Sequence, residues 1–364
     1  MGRTAKPWFV LNAWKAIHAL ESNQVATNLS TIVNCDSLLS HSIAEIKQEL
    51  ISAIKDELID EFDDGLLKIN HTIVSSSHDW YCFVCFNPGE RMIGCQSCFR
   101  LYHKTCFRYS EEEGKCYYCQ VHPQEKIRGK LLDISTINDT LEILFHNLVA
   151  NFQSLMDIAS LKDESPVILK LLSKLLHNPH FDFLSLQNKI NEQQYKSIAD
   201  FIVDFKLIYF NVAILNGPGS IVVEKFDEMF KYILSQEKII TSCIQCYYNL
   251  YCKVDGEENF DWFLVPCNPP HRLCFAKIEE FCHPVKVIKS NINESFVWLF
   301  DENHEFITVN NESLIDSLPK EEIITPELSK ALEAYEHLLS MGNESKERDF
   351  DNDNGEDFSE KCNQ

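Results

Sequence analysis

Between Trp80 and Cys119, eight cysteine and histidine side chains fall in four pairs: Cys82 and Cys85, Cys95 and Cys98, His103 and Cys106, Cys116 and Cys119. Two residues separate the members of each pair, the spacing with which a short turn aims two side chains at one tetrahedral Zn²⁺. Further along, Cys243 and Cys246 also have two residues between them, and Cys267 and His271 have three. Those four residues make one more ligand set, of three cysteines and one histidine, so three zinc ions are expected. A disulfide framework would need an oxidising compartment, and Met1 to Val10 has no apolar run with a cleavage site, so metal is the expected use of these thiols. Cys252, Cys274 and Cys282 have no partner at ligand spacing and are expected to be buried as small hydrophobes, while Cys362 stands alone. The chain has no nucleophile–base constellation, Gly-rich phosphate loop or open metal site, which argues against an enzyme.

The 364 residues are too many for one ordinary core, and 45% hydrophobic content says that most of them fold. No apolar run reaches the ~18–20 residues of a membrane span, so no membrane partner is expected. Lys6 stands where a myristoylation signal needs Ser or Thr. With 33 basic and 55 acidic residues the net charge is −22. A field of that sign repels duplex DNA and attracts a basic peptide such as a histone tail, though acidity also serves solubility alone.

The elements that must position these groups start with a helix from Pro7 to Glu21, carrying Trp8, Leu11, Trp14, Ile17 and Leu20 at helical spacing. A short helix follows near Thr27 to Val33. A third starts at a capping box of Ser42 and Glu45, with Ile43, Ile46, Leu50 and Ile54 as its apolar stripe. Leu58 to Phe62 and Leu66 to Ile69 can pair across Asp63-Asp64-Gly65. Three helices and a hairpin resemble a winged helix over residues 7–72. Yet residues 1–70 hold six basic and ten acidic side chains and no basic stripe, which favours a protein-interaction or packing module with weak or no direct DNA binding.

The ligand order over residues 78–122 resembles a PHD finger, in which the pairs interleave. That resemblance implies one zinc on Cys82, Cys85, His103 and Cys106 and another on Cys95, Cys98, Cys116 and Cys119. All ligands are then used, and the sites are structural. The tryptophan usual two residues before the seventh ligand is Gly114 here. A RING-like ubiquitin or SUMO ligase also crosses its pairs, but with the third and fourth cysteines closer together and the histidine further on.

After a polar linker from Val121 to Lys130, residues 132–238 read as four helices, the first with Leu141, Leu144, Leu148 and Leu155. The run from Asn178 to Ser220 resembles the second half of a bromodomain. Carried over on Asp204-Phe205, the asparagine whose amide meets acetyl-lysine is Asn216. Leu215 replaces the usual aromatic before it, and the Trp-Pro-Phe shelf is missing, so a four-helix spacer with Asn216 as a turn residue stays open.

Residues 240–271 read as a zinc knot. From His271, HRLCFAKIEEFCHPVKVI is similar to the start of a PWWP domain, a small β-barrel with a carboxy-terminal helix, over residues 272–342. Strands are expected at Phe296 to Asp301 and Phe306 to Val309, and a helix from Pro326 to Met341. The resemblance implies a methyl-lysine cage at Phe281, His283 and Leu299, with Trp298 or Phe300 able to swing in. Residues 343–364 are acidic and poor in apolar side chains, and read as a disordered tail.

Together these modules make a multidomain α+β chain: winged-helix-like amino terminus, zinc-bound PHD finger, four-helix bromodomain, zinc knot and PWWP barrel. That order resembles the chromatin readers of the zinc finger MYND domain-containing family. His78-Asp79-Trp80-Tyr81-Cys82-Phe83, Cys98-Phe99-Arg100-Leu101-Tyr102-His103 and Asp261-Trp262-Phe263 carry the likeness. It implies a nuclear, non-catalytic transcriptional regulator that docks on the histone H3 tail of a nucleosome, recognises trimethylated lysine 36, and engages corepressors or transcription factors. The family's MYND finger is expected to be absent, and the eroded pockets leave a scaffold with degenerate reader sites as the alternative.

Overall fold

The computed structural model describes residues 2–72, 77–107, 114–119, 126–127, 130–158, 165–244, 246–247, 271–279, 281–300, 305–319, 326, 328–336 and 339. They fall into two compact units. One comprises Met1–Gln124 with Asp133–Leu234, the other Glu125–Leu132 with Ser235–Gln364. The tail from residue 343, Cys252, Cys267 and Cys362 lie outside the described residues, as does most of the linker.

In the first unit, helix α1 (Pro7–Ser22) opens on a proline, whose missing N–H costs nothing in a first turn. It buries Phe9, Val10, Trp14 and Ile17, and the Trp14 indole donates to the Leu58 carbonyl at 3.0 Å. Helix α2 (Leu29–Ile32) is a single turn capped by Asn28. Helix α3 (Ile43–Lys55) starts at the expected capping box, with Ser42 and Glu45 satisfying each other's amides. Strands β1 (Ile59–Glu61) and β2 (Leu67–Ile69) pair antiparallel with Ile59 opposite Ile69, which is the expected hairpin.

Among the described residues the cysteine-rich lobe has one small sheet, β3 (Met92–Gly94) against β4 (Leu101–His103). Cys82, Met92 and Leu101 form one buried apolar cluster in it. Tyr81, Phe83, Phe86 and Tyr102 are buried in the lobe as well.

A helical bundle completes this unit: α4 (Ile134–Ile158), α5 (Pro166–Leu172), α6 (Phe183–Asn191), α7 (Ile198–Asn216) and the first part of α8 (Ile221–Ser242). Helix α7 is apolar nearly all round, and a helix of that kind belongs in the middle of a bundle. It ends where Gly217 takes φ +87° and its N–H closes on the Ala213 carbonyl at 2.9 Å.

The cysteine-rich lobe is packed onto the bundle, not strung beside it. Phe83 and Phe86 stand against Phe210 and Tyr209 of α7 with ring centroids 5.1 Å apart in each pair. The Phe99 ring stacks on His177 at 4.6 Å.

In the second unit, five strands form an antiparallel sheet in the order β10-β9-β8-β7-β11. They are β7 (Arg272–Ile278), β8 (Phe281–Ser290), β9 (Glu294–Leu299), β10 (Phe306–Asn310) and β11 (Leu314–Ile315); a two-residue hairpin, β5 (Lys126–Ile127) and β6 (Lys130–Leu131), precedes them in the chain. The sheet's core is Cys274, Ala276, Val285, Val287, Val297, Leu299 and Val309. Cys274 and Cys282 are buried as expected. Residues 328–336 are helical, and Tyr335 packs on Phe275 at 4.9 Å. Among the described residues no helix is long and apolar enough to cross a membrane.

Candidate functional site

Three clusters of ligand side chains converge. Cys82, Cys85, His103 and Cys106 form one, Cys95, Cys98, Cys116 and Cys119 the second, and in each the ligand atoms lie within 4.8 Å of one another. Strand β4 ends at His103 and β3 leads into Cys95, so the two-stranded sheet holds one ligand of each cluster in register. Cys243, Cys246 and His271 form the third cluster.

The donor chemistry fits zinc. With Zn–S bonds of ~2.3 Å a tetrahedron has an S···S edge of ~3.8 Å, and Cys98 Sγ lies 3.8 Å from Cys116 Sγ. In the mixed cluster His103 Nδ1 is 3.2 Å from Cys85 Sγ and 4.0 Å from Cys106 Sγ. The other ring nitrogen, Nε2, is 3.1 Å from the Pro88 carbonyl. An N–H there donates to that carbonyl, which leaves Nδ1 with a lone pair for the metal. The Cys95 sulfur accepts the amides of Ser97 at 3.4 Å and Cys116 at 3.2 Å. Arg100 places Nη1 3.6 Å from Cys98 Sγ. Donors of this kind stabilise the charge of a four-thiolate set.

Pro88 and Arg100 are supporting groups that spacing alone does not reveal. Arg100 had one readable signal, a basic side chain between the fourth ligand and the histidine. Its guanidinium sits 4.8 Å from the Phe83 ring centre, which couples the second cluster to the face that meets the bundle.

Asp79 is a buried acid at that same junction. Its Oδ1 accepts the His177 amide at 2.8 Å, while Oδ2 has no partner among the described residues. Burial pushes its pKa up to about 7, against the opposing pull of the His177 amide and Arg100. Lys206 on α7 carries the opposite charge into the interface, its ammonium 4.7 Å from the Phe86 ring, 4.1 Å from Tyr209 and 4.9 Å from Phe230. Desolvation by burial lowers its pKa to about 8.

Asn216 is the last residue of α7. Its side chain is exposed, and Nδ2 donates to the Val212 carbonyl of its own helix at 2.9 Å. The next residue, Gly217, is buried under the Trp8 indole of α1, with no room there for a side chain to stay unstrained. Asn211, one turn earlier, faces inward and donates to the Asn178 carbonyl at 2.9 Å, which pins the segment before α6.

On the sheet, Phe281 is 53% exposed and His283 half-buried, two residues apart on β8 and therefore on one face. Leu299 pairs with Val285 and belongs to the core. Trp298 pairs with Lys286, so the pleat turns it to the opposite face from Leu299. There it is 1% exposed and stacked on Phe306 with centroids 5.1 Å apart. Phe300 is also buried, edge-on to Tyr335. The structure thus brings Phe281 and His283 together and leaves Trp298 apart from them.

Comparison with known proteins adds two findings. Residues 142–228 match the bromodomain family. Over 218 residues, 58% of the chain, the sequence is 26% identical to the MYND-type zinc finger-containing chromatin reader Zmynd8 of Drosophila melanogaster. The matched stretch amounts to 12% of that relative's length.

Proposed function

We propose that this chain is a chromatin-associated reader of histone tails that regulates transcription without catalysing a reaction. The observation that carries the reading is the bromodomain match over residues 142–228, on a bundle packed against a lobe with two zinc-type ligand clusters. The similarity to a chromatin reader supports it, as does the net charge of −22, which attracts a basic tail. In the finer form of the reading, residues 7–72 are a winged-helix-like packing module, 78–122 a PHD finger, 132–238 the bromodomain, 240–271 a zinc knot and 272–342 a PWWP domain. Three zinc ions are held, with Cys267 as fourth ligand beside Cys243, Cys246 and His271. The module order resembles that of protein 11 of the zinc finger MYND domain-containing family, which supports a nuclear location with a corepressor as further partner in this reading.

Asn216 is the acetyl-lysine contact in this reading. One of its amide protons is spent on Val212 and the other is free for an acyl oxygen. Phe281 and His283 would carry the methyl-lysine contact between them. Titration of the zinc-loaded chain with acetylated, trimethylated and unmodified H3 tail peptides tests the proposal. Binding that depends on the modification supports it, and no binding to any peptide at low salt rejects it.

A second reading, an interaction scaffold whose reader sites have decayed, is favoured by the burial of Trp298 away from Phe281. It predicts that Phe281→Ala and Asn216→Ala leave chromatin association unchanged.

A further inference from the structure

The segment Gly2-Arg3-Thr4-Ala5-Lys6 is a short basic strap in an acidic chain, and it lies without regular secondary structure against the cysteine-rich lobe. Arg3 N–H donates to the Trp80 carbonyl at 3.4 Å, and the Gly89 amide donates to the Arg3 carbonyl at 2.8 Å. A Cβ at position 2 would run into the Gly89 carbonyl and the Met92 side chain, so the strap is seated on the segment that leads into β3. Among the described residues β3 pairs only with β4, and its other edge is the kind of edge to which an extended peptide adds.

The Arg3 side chain is 7% exposed. Its guanidinium lies 4.0 Å above the centre of the Trp80 ring and donates to the Lys174 carbonyl. Beside it runs a cavity of about 290 Å³ lined by Gly2, Arg3, Asp56, Thr72, Trp80 and Lys174. The strap is fastened at its far end, where the amides of Thr4 and Ala5 both donate to Asp56 Oδ2 at 2.7 Å.

We propose that the Trp80 ring, the Lys174 carbonyl and the Gly89 backbone ahead of β3 form a pocket for the arginine of a basic peptide, filled in this structure by the chain's own Arg3. The strap is then a tethered competitor, and an outside tail gains the pocket only when the strap leaves. A guanidinium suits this site because it is planar, stacks on an indole and still has N–H groups for a carbonyl, whereas an ammonium cannot do both in one plane. The inference deepens the histone-tail reading and rests on it only for the identity of the outside peptide.

The test uses the full zinc-loaded chain and a synthetic peptide of residues 2–6, followed through the indole resonance of Trp80. A tethered segment acts at an effective concentration in the ~mM range, so the free peptide should bind the wild-type chain roughly tenfold or more weakly than a chain freed of its strap. Two variants free the pocket independently: residues 2–6 replaced by a Gly-Ser run, and Gly2→Val, which expels the strap by collision with the Gly89 carbonyl. Both should bind the peptide, and neither should bind its Arg→Ala version. Zinc content and thermal melting identify which variants are folded, and either folded variant suffices. Equal affinity of the wild-type chain and a folded variant, or equal affinity for the Arg→Ala peptide, overturns the proposal. If residues 2–6 bind a freed chain while H3 tail peptides do not, the pocket stands and the tail-reading proposal fails.

Discussion

In the cysteine-rich lobe, two strands of three residues each pack Met92 and Leu101 on Cys82, and the buried rings of Phe83 and Phe86 are the ones that meet the bundle, whereas in the bundle α7 alone buries thirteen side chains. The lobe adds two ligand clusters to what burial supplies, while the bundle rests on burial. They nevertheless share an interface, because Phe83 and Phe86 meet Tyr209 and Phe210 in one aromatic layer. The difference teaches that stability in this unit is local in origin and shared through that layer.

The largest effect should come from metal removal. Each structural zinc contributes on the order of 10–16 kcal/mol of apparent binding free energy, so a strong chelator should unfold residues 78–119. Amide exchange measured before and after chelation should lose protection in β3 and β4 and keep it in the core of α7. Simultaneous loss in α7 would show that the two regions are not separately stabilised.

Next in size is Phe210→Ala, which opens a cavity at a fully buried ring in the shared layer and should cost about 3–5 kcal/mol in urea unfolding. The same change should loosen zinc in the lobe by way of Phe83, a coupling that competition with a metal indicator would read. No change in zinc affinity would confine the effect to the bundle.

Asp79→Asn sharpens the comparison through pH. A carboxyl whose pKa is raised from 3.8 to about 7 on folding gives stability that is full below the lower value, falls as pH rises between the two, and stays low above about 7. Removing the titration should therefore make the variant more stable than the parent at pH 7.5, by roughly 2–4 kcal/mol, with the gap narrowing toward pH 5. A gap that stays constant with pH would mean that Asp79 is ionised in the folded chain throughout. The smallest effect belongs to Asn216→Ala, an exposed helix end, which should change stability by no more than about 0.5 kcal/mol while weakening binding of an acetylated peptide.

What could be read from the sequence was mostly local. The four ligand pairs between Cys82 and Cys119, the capping box of Ser42 and Glu45 and the hairpin around Gly65 depend on residues within a few positions of one another, and these formed. The docking of the lobe on the bundle depends on Asp79 reaching His177 and Arg3 reaching Lys174, separations no spacing rule reports. Trp298 is different, because the information was there. Adjacent residues of a strand point to opposite faces, so Trp298 and Leu299 could not both face Phe281. The pleat keeps Leu299 on the face of Phe281 and His283 and excludes only the swing-in of Trp298 or Phe300. Trp8 against Gly217 also lay beyond reach, since nothing in a helical stripe says which loop its first ring will cover.

The most direct measurement of the central claim is a calorimetric titration of the zinc-loaded chain, at low salt, with H3 tail peptides that are unmodified, acetylated or trimethylated. The account predicts saturable binding to at least one modified peptide, tighter than to the unmodified tail and weakened by Asn216→Ala or Phe281→Ala. Heats indistinguishable from dilution for every peptide, with zinc bound and the chain folded, would contradict it.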